Sequence, residues 1–270
     1  MNSTLTIYNR NHIVDLLRFV AVTWVALFHF NETTEFQSNW YRHFFKIGYL
    51  GVPIFFVISG YCIALSANYT ITAREFISRR FFKIFPTYWL SLLIVMLAVL
   101  FSLLVYGANS VATLPKSLMG VVATLTILTS PFSSTETVNW VYWSLTVEIF
   151  FYAIVAVGLL MKDKFRFYWI MLISILPFFF SHQTNGLLFF VKYWPAFLLG
   201  YSTYLFMIVQ NWRNLLLILL SLVTLVYFTF INNYFIAVCL STICIIIFGH
   251  FNNQEKVYGL YWDSIHILSI

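Results

Sequence analysis

The sequence predicts an all-α protein, a polytopic bundle of transmembrane helices with about eight spans and the truncated start of a ninth. Three observations predict it. Hydrophobic residues make up 61% of the chain and charged residues only 9%, with a mean hydropathy of +0.85; a soluble domain carries about a quarter of its residues as charges. Too few charges remain to coat a water-facing surface, so the surface faces lipid. Several apolar stretches reach the roughly 20 residues that a bilayer core requires. Lipid forces the backbone to bond within its own segment, which makes each stretch a helix, and the alternation of a membrane β-barrel is absent. Finally, the basic residues gather in the short connections, as the positive-inside rule requires.

Residues 13–31 form the first span, followed by a connection with Glu32, Glu35, Arg42 and Lys46. The second span is about 47–66. The connection 67–85 holds the strongest basic cluster, Arg74, Arg79, Arg80 and Lys83. The third span starts at Pro86, a residue suited to a first helical turn, and runs to about Tyr106. Residues 107–139 are polar at both ends; the apolar stretch 118–129 is too short to span and reads as a re-entrant or interfacial helix. The fourth span is about 140–161, and Lys162, Asp163, Lys164 and Arg166 follow as a charged loop. Spans near 167–181, 187–207 and 214–231 come next, with a turn from His182 to Gly186 between the first two. After a turn at Asn232-Asn233, an eighth span reaches about Phe248, and 257–270 begins a further segment that stops early.

With the N-terminus in the cytoplasm, the connections holding Arg74, Arg79, Arg80, Lys83, Lys162, Lys164, Arg166, Arg213 and Lys256 fall inside. Only Arg42, Lys46 and Lys116 fall outside. Counting 118–129 as a span would move the Lys162–Arg166 cluster outside, which argues against it. With no internal repeat, a single membrane domain over 1–270 is the simplest division. The net charge of +6 follows from topology and implies no nucleic-acid partner. Cys62, Cys239 and Cys244 lie in apolar segments without metal-ligand spacing, so no metal site is expected. The first span carries Asp15 and Arg18 and lacks a small-residue cleavage site, so it reads as a retained helix and not a signal peptide.

Ionisable groups inside spans are costly and tend to face a cavity or a partner. Here they are Asp15, Arg18, His29, Glu148 and Lys192. Arg18 and His29 are separated by about three helical turns, so they project from nearly the same face, roughly 16 Å apart along the axis. Each alone could be explained blandly, Arg18 by reaching to the headgroups and His29 by ending the helix; together they suggest one polar channel. Asp15 is one turn from Arg18 and reads as its structural partner. Glu148 must find a cation or a function, with Arg18 and Lys192 among the candidate cations. Ser59 and Ser144 read as small residues for close packing, and Tyr61, Trp143 and Tyr152 as packing or interface aromatics.

Four blocks then converge. The segment Leu17-Arg18-Phe19-Val20-Ala21 leads to Leu27-Phe28-His29, an arginine and a histidine with ten residues between them. Gly48-Tyr49-Leu50-Gly51-Val52-Pro53 continues through Phe55-Phe56-Val57-Ile58-Ser59-Gly60-Tyr61. Arg79-Arg80-Phe81-Phe82-Lys83-Ile84-Phe85-Pro86-Thr87-Tyr88-Trp89 is the third, and Trp143-Ser144-Leu145-Thr146-Val147-Glu148 with Phe151-Tyr152 the fourth. In this order the blocks resemble acyltransferase family 3, integral membrane enzymes that O-acylate bacterial surface and exported carbohydrates. The likeness covers residues 13–152. Lys83 stands where the family commonly has arginine, keeping the charge but losing the bidentate fork. The family usually has about ten helices, so the C-terminus is expected to be short relative to it, and an inactive truncated member is one expectation.

The resemblance implies an acyl-CoA co-substrate, acetyl-CoA by default, no resident cofactor, a carbohydrate or glycolipid acceptor, and a place in the bacterial inner membrane with the N-terminus cytoplasmic. His29 is the candidate base, since a neutral imidazole suits proton abstraction near neutral pH. Glu148 is expected to orient that imidazole if the first and fourth spans pack together, and Arg18 to draw the donor toward it. Arg79, Arg80 and Lys83 are the candidate donor-binding cations, because such clusters hold phosphates well; a basic loop is equally what topology and anionic lipid demand. The rival reading is a transporter or flippase of a glycan or small solute, motivated by many helices with charges inside them.

Overall fold

The computed structural model describes residues 12–32, 39–70, 72–107, 115, 117–180, 185–228 and 233–267, the last of these by backbone alone from 252 onward. Among them there are helices and no strand, as the composition requires. The α-helices are α1 (His12–Glu32), α2 (Trp40–Lys46), α3 (Gly51–Asn68), α4 (Ala73–Tyr106), α5 (Leu118–Leu125), α6 (Trp143–Leu160), α7 (Asp163–Phe180), α8 (Trp194–Ile208), α9 (Trp212–Phe228) and α10 (Asn233–Ile267). Five helical stretches among the described residues are long and apolar enough to cross a membrane: α1, Trp40–Asn68, α4, α6 and Tyr234–Phe251 within α10. The helices α8 and α9 are apolar but shorter. Helix α7 matches α6 in length, but Asp163, Lys164 and Arg166 occupy its first turn. Exposed side chains such as Leu93, Leu97, Phe101 and Leu104 on α4 are apolar, as a lipid-facing surface demands.

Three expectations are corrected. The basic cluster is not in a loop, because α4 begins at Ala73 and carries Arg74, Arg79, Arg80 and Lys83 on its first turns. The Thr72 side chain accepts from the Glu75 amide at 3.2 Å, capping the helix, and Glu75 meets Arg79 one turn on at 2.5 Å. Pro86 therefore lies inside α4. The Thr87 hydroxyl donates back to the carbonyls of Lys83 and Ile84 at 3.2 and 3.0 Å, the kind of side-chain compensation that lets a spanning helix carry a proline. The charged loop after α6 is likewise shorter than expected. Helix α7 starts at Asp163, and Arg166 ties it back by pairing with Asp163 at 3.1 Å and donating from Nε to the Gly158 carbonyl at 3.3 Å. Finally, no break precedes residue 257, since α10 runs unbroken to Ile267. Gln254, Glu255 and Lys256 interrupt the hydropathy but are good helix formers, so polarity ends the apolar stretch without ending the helix. Glu35, Lys116, His182 and Asn232 lie outside the described residues.

The helices gather into two compact units, Met1–Ile58 with Asn232–Ile270, and Ser59–Ile231. In the first, α1 is met by two glycines. A Cβ on Gly51 would stand 2.6 Å from Val25 Cγ2 and 2.7 Å from the Ala21 carbonyl oxygen, and one on Gly48 would stand 2.9 Å from Phe28 Cβ. Small residues one turn apart thus let two backbones meet, the usual route to helix contact in lipid. Trp24 adds a hydrogen bond to the Phe44 carbonyl at 2.9 Å and stacks on the Phe44 ring at 5.2 Å.

In the second unit α6 packs on α4 and α7, and α8 on α9. The short α5 is the non-spanning helix expected within 118–129. Its C-terminal carbonyls would be orphans in lipid, and side chains of neighbouring helices satisfy them. Tyr88 donates to the Thr124 carbonyl, Trp89 to that of Leu125 at 3.1 Å, and Thr146 to that of Ile127 at 2.8 Å. Several residues of the third and fourth sequence blocks therefore hold α5 in place.

Candidate active site

Within the second unit, α6 presents Ser144, Glu148 and Tyr152 at intervals of four, a spacing that puts them on one face. Two oxygens converge on the carboxyl group of Glu148. The Tyr152 hydroxyl donates to Oε1 at 2.6 Å and the Ser59 hydroxyl donates to the same oxygen at 2.8 Å. Ser59 reaches it because the next residue, Gly60, has no side chain. A Cβ there would collide with the Phe197 carbonyl oxygen and stand 2.9 Å from the Tyr201 nitrogen, so α3 and α8 touch backbone to backbone. Ser144, one turn before Glu148, donates to the Val141 carbonyl in the turn that precedes α6, at 3.3 Å.

Arg80 completes the cluster from α4. It is 8% exposed. One terminal nitrogen donates to the Cys62 carbonyl at 3.3 Å, and its Nε has no hydrogen-bond partner among the described residues. The guanidinium lies over two rings, 5.6 Å from the centroid of Phe76 and 5.4 Å from that of Tyr152. Cys62 is one turn beyond Ser59, and Arg80 one turn beyond Phe76, so each helix contributes from a single face. A cation resting against two aromatic rings is held in place without a carboxylate, and its unpartnered Nε suits an anion with several oxygens.

Other expected site residues stand differently. Arg79 is exposed and paired with Glu75, and Lys83 is exposed. Lys192 is exposed and lies over Tyr193 at 5.7 Å. Among the described residues Glu148 forms no ion pair, with Lys192 or any other cation; it is held by hydroxyls. In the first unit, Arg18 meets Asp15 at 3.7 Å and His29 meets Glu32 at 3.4 Å. The Arg18–Asp15 partnership is the one expected from the spacing. Both side chains are partly exposed, 32% for Arg18 and 23% for His29.

Ser59 and Tyr152 were expected only to pack, and the structure makes them the two ligands of Glu148. The signal available in the sequence was slight: a tyrosine four residues after an intramembrane glutamate is in reach of it. Nothing in the order of residues announces a serine on another helix.

These features define a multi-pass membrane protein with an ionisable cluster built into an apolar helical unit. The chain matches the acyltransferase domain family over residues 11–268 and belongs to it. It is also 34% identical over 144 residues to the exopolysaccharide production protein ExoZ of Rhizobium meliloti (strain 1021), a match covering 52% of this chain and 41% of that relative. No solved structure matches it.

Proposed function

We propose that the chain transfers an acyl group, acetyl by preference, from acyl-CoA to a hydroxyl of an exported or cell-surface carbohydrate. The observation that carries this reading is the cluster of Glu148 and the buried Arg80 in a chain of the acyltransferase family. The name of that relative, an exopolysaccharide production protein, supports a carbohydrate acceptor. The acceptor oxygen attacks the thioester carbonyl, a C–O bond forms, the C–S bond breaks, and the hydroxyl proton passes through a base to the departing thiolate of CoA.

His29 is the base in this reading, because an imidazole can take and return a proton near neutral pH. Glu148 assists the same transfer and Arg18 helps to draw in the donor. Arg80 holds donor phosphate, with Arg79 and Lys83 adding attraction from the exposed side of the same turns. Its burial and its unpartnered Nε support that assignment for Arg80 above the other two. The excess of basic residues in one set of connections supports a cytoplasmic N-terminus in the bacterial inner membrane, which puts the start of α4 on the side where acyl-CoA is made.

The test is a reconstitution. Purified protein in lipid vesicles is given labelled acetyl-CoA and the glycan of a strain lacking the gene, and the glycan is weighed by mass spectrometry. An added acetyl mass with the wild type, and none with H29A at equal protein level, is the expected result. Identical glycans from the deletion strain and its parent would rule the reading out.

A further inference from the structure

The residues around Glu148 do two separable jobs, and Tyr152 does both. Its hydroxyl donates to Glu148 Oε1 at 2.6 Å, and its ring lies 5.4 Å from the Arg80 guanidinium carbon. Ser59 donates to the same oxygen of Glu148 from α3 at 2.8 Å. Both hydroxyls thus occupy Oε1, and Oε2 has no hydrogen-bond partner among the described residues. A carboxyl group on a flexible side chain would otherwise sample several rotamers. Two donors from different helices fix both its position and the face it turns outward.

We propose that Ser59 and Tyr152 are positioning residues, locking Glu148 through one oxygen so that the other is presented to the transfer reaction, while the Tyr152 ring seats Arg80 for the donor. This rests on the acyltransferase reading above and adds what that reading lacks, the parts that hold its carboxyl group and its buried cation in register. No other charged group competes for Glu148 among the described residues of the unit. From α4 Arg80 comes near, and it contacts Tyr152 and not Glu148. Arg166 of α7 is bound at Gly158, ten residues further along α6, and Lys192 is exposed beside Tyr193.

Because ring and hydroxyl are separable, the proposal can be dissected with conservative variants. Y152F keeps the ring and loses the hydroxyl. It should cut kcat roughly tenfold, the worth of one hydrogen bond, and weaken acyl-CoA binding less than loss of the ring does, since the ring contact with Arg80 remains. Y152L loses both and should also weaken acyl-CoA binding about tenfold, as expected for a desolvated cation–ring contact. S59A should behave like Y152F, S59T should restore the rate, and S144A should match the wild type. In the E148A background, Y152F and S59A should cost nothing further.

Infrared difference spectra give a readout independent of turnover. The Glu148 carboxyl band, identified by its loss in E148Q, should move in Y152F and S59A and stay put in S144A. An unmoved band overturns the proposal. So does an active wild type whose rate is unchanged by Y152F and S59A, or one in which their losses persist in the E148A background; either outcome leaves the acyltransferase reading standing. A moved band in a protein that transfers no acyl group sinks both that reading and the positioning role.

Discussion

On α1 of the first unit two ionisable pairs lie within one helix: Arg18 meets Asp15 and His29 meets Glu32, each three residues away. The second unit has local pairs too, Arg79 with Glu75 and Arg166 with Asp163, but its buried cluster also draws partners from elsewhere in the chain, Ser59 to Glu148 across 89 residues and Arg80 to the Cys62 carbonyl across 18. A local pair forms wherever the helix forms and is worth a few tenths of a kcal/mol. A long-range set exists only when three helices have packed, and then fixes its members in one geometry. A local pair is compatible with the base role proposed for His29, which requires the imidazole to exchange partners. The second unit holds its glutamate and arginine as fixtures.

The largest expected effect tests the mobile side of this contrast. H29A should lower the rate of acyl transfer by roughly 10²- to 10⁴-fold, the range for loss of a general base, with the amount of protein in the membrane unchanged. A rate within threefold of wild type would remove His29 from the chemistry and leave only the fixed cluster to account for it.

The fixed side is tested by the glycine that sets it. G60A puts a methyl group against the backbone of Phe197 and Tyr201, where no flexible side chain can yield. Overpacking of this kind costs about 1–3 kcal/mol, so the thermal midpoint of the purified protein should fall by several degrees, with the Glu148 cluster disturbed as α3 and α8 are forced apart. If G60A melts like the wild type, the backbone contact does not set the position of Ser59. A smaller loss of stability, about 1 kcal/mol, is expected for T72A, which removes the cap that starts α4 and so aims Phe76 and Arg80. The thermal midpoint is again the measurement, and no change would mean that packing alone fixes the start of the helix.

The same contrast explains what the sequence could reveal. The all-α bundle was legible because composition and apolar length carry it directly. The short helix within 118–129 was legible from its length, but its anchoring by Tyr88, Trp89 and Thr146 was not, since those bonds depend on which helices become neighbours. Asp15 with Arg18 was legible because the spacing alone makes the pair. Glu148 and Arg80 drew notice as charges in or beside apolar segments, whereas Ser59 and Tyr152 are neutral residues that pack equally well in any spanning helix. The start of α4 is written in Thr72-Ala73-Arg74-Glu75, which has the pattern of a capping box, while the basic cluster beside it fits a first helical turn as well as a loop. The continuity of α10 was hidden by reading a drop in hydropathy as the end of a helix.

The smallest expected effect separates a partner that positions from one that is merely near. His29 and Glu32 are 3.4 Å apart, and the Glu32 side chain is 48% exposed, so solvent or headgroups can replace it. E32Q should change stability by no more than about 0.5 kcal/mol and transfer by less than threefold, measured in the same vesicles as H29A. Glu148 gives the opposite expectation, because nothing replaces Ser59 or Tyr152 once the helices are packed. If E32Q instead silences the enzyme as H29A does, the pair on α1 is a fixture too, and its short sequence separation reflects economy of design and not weakness of hold.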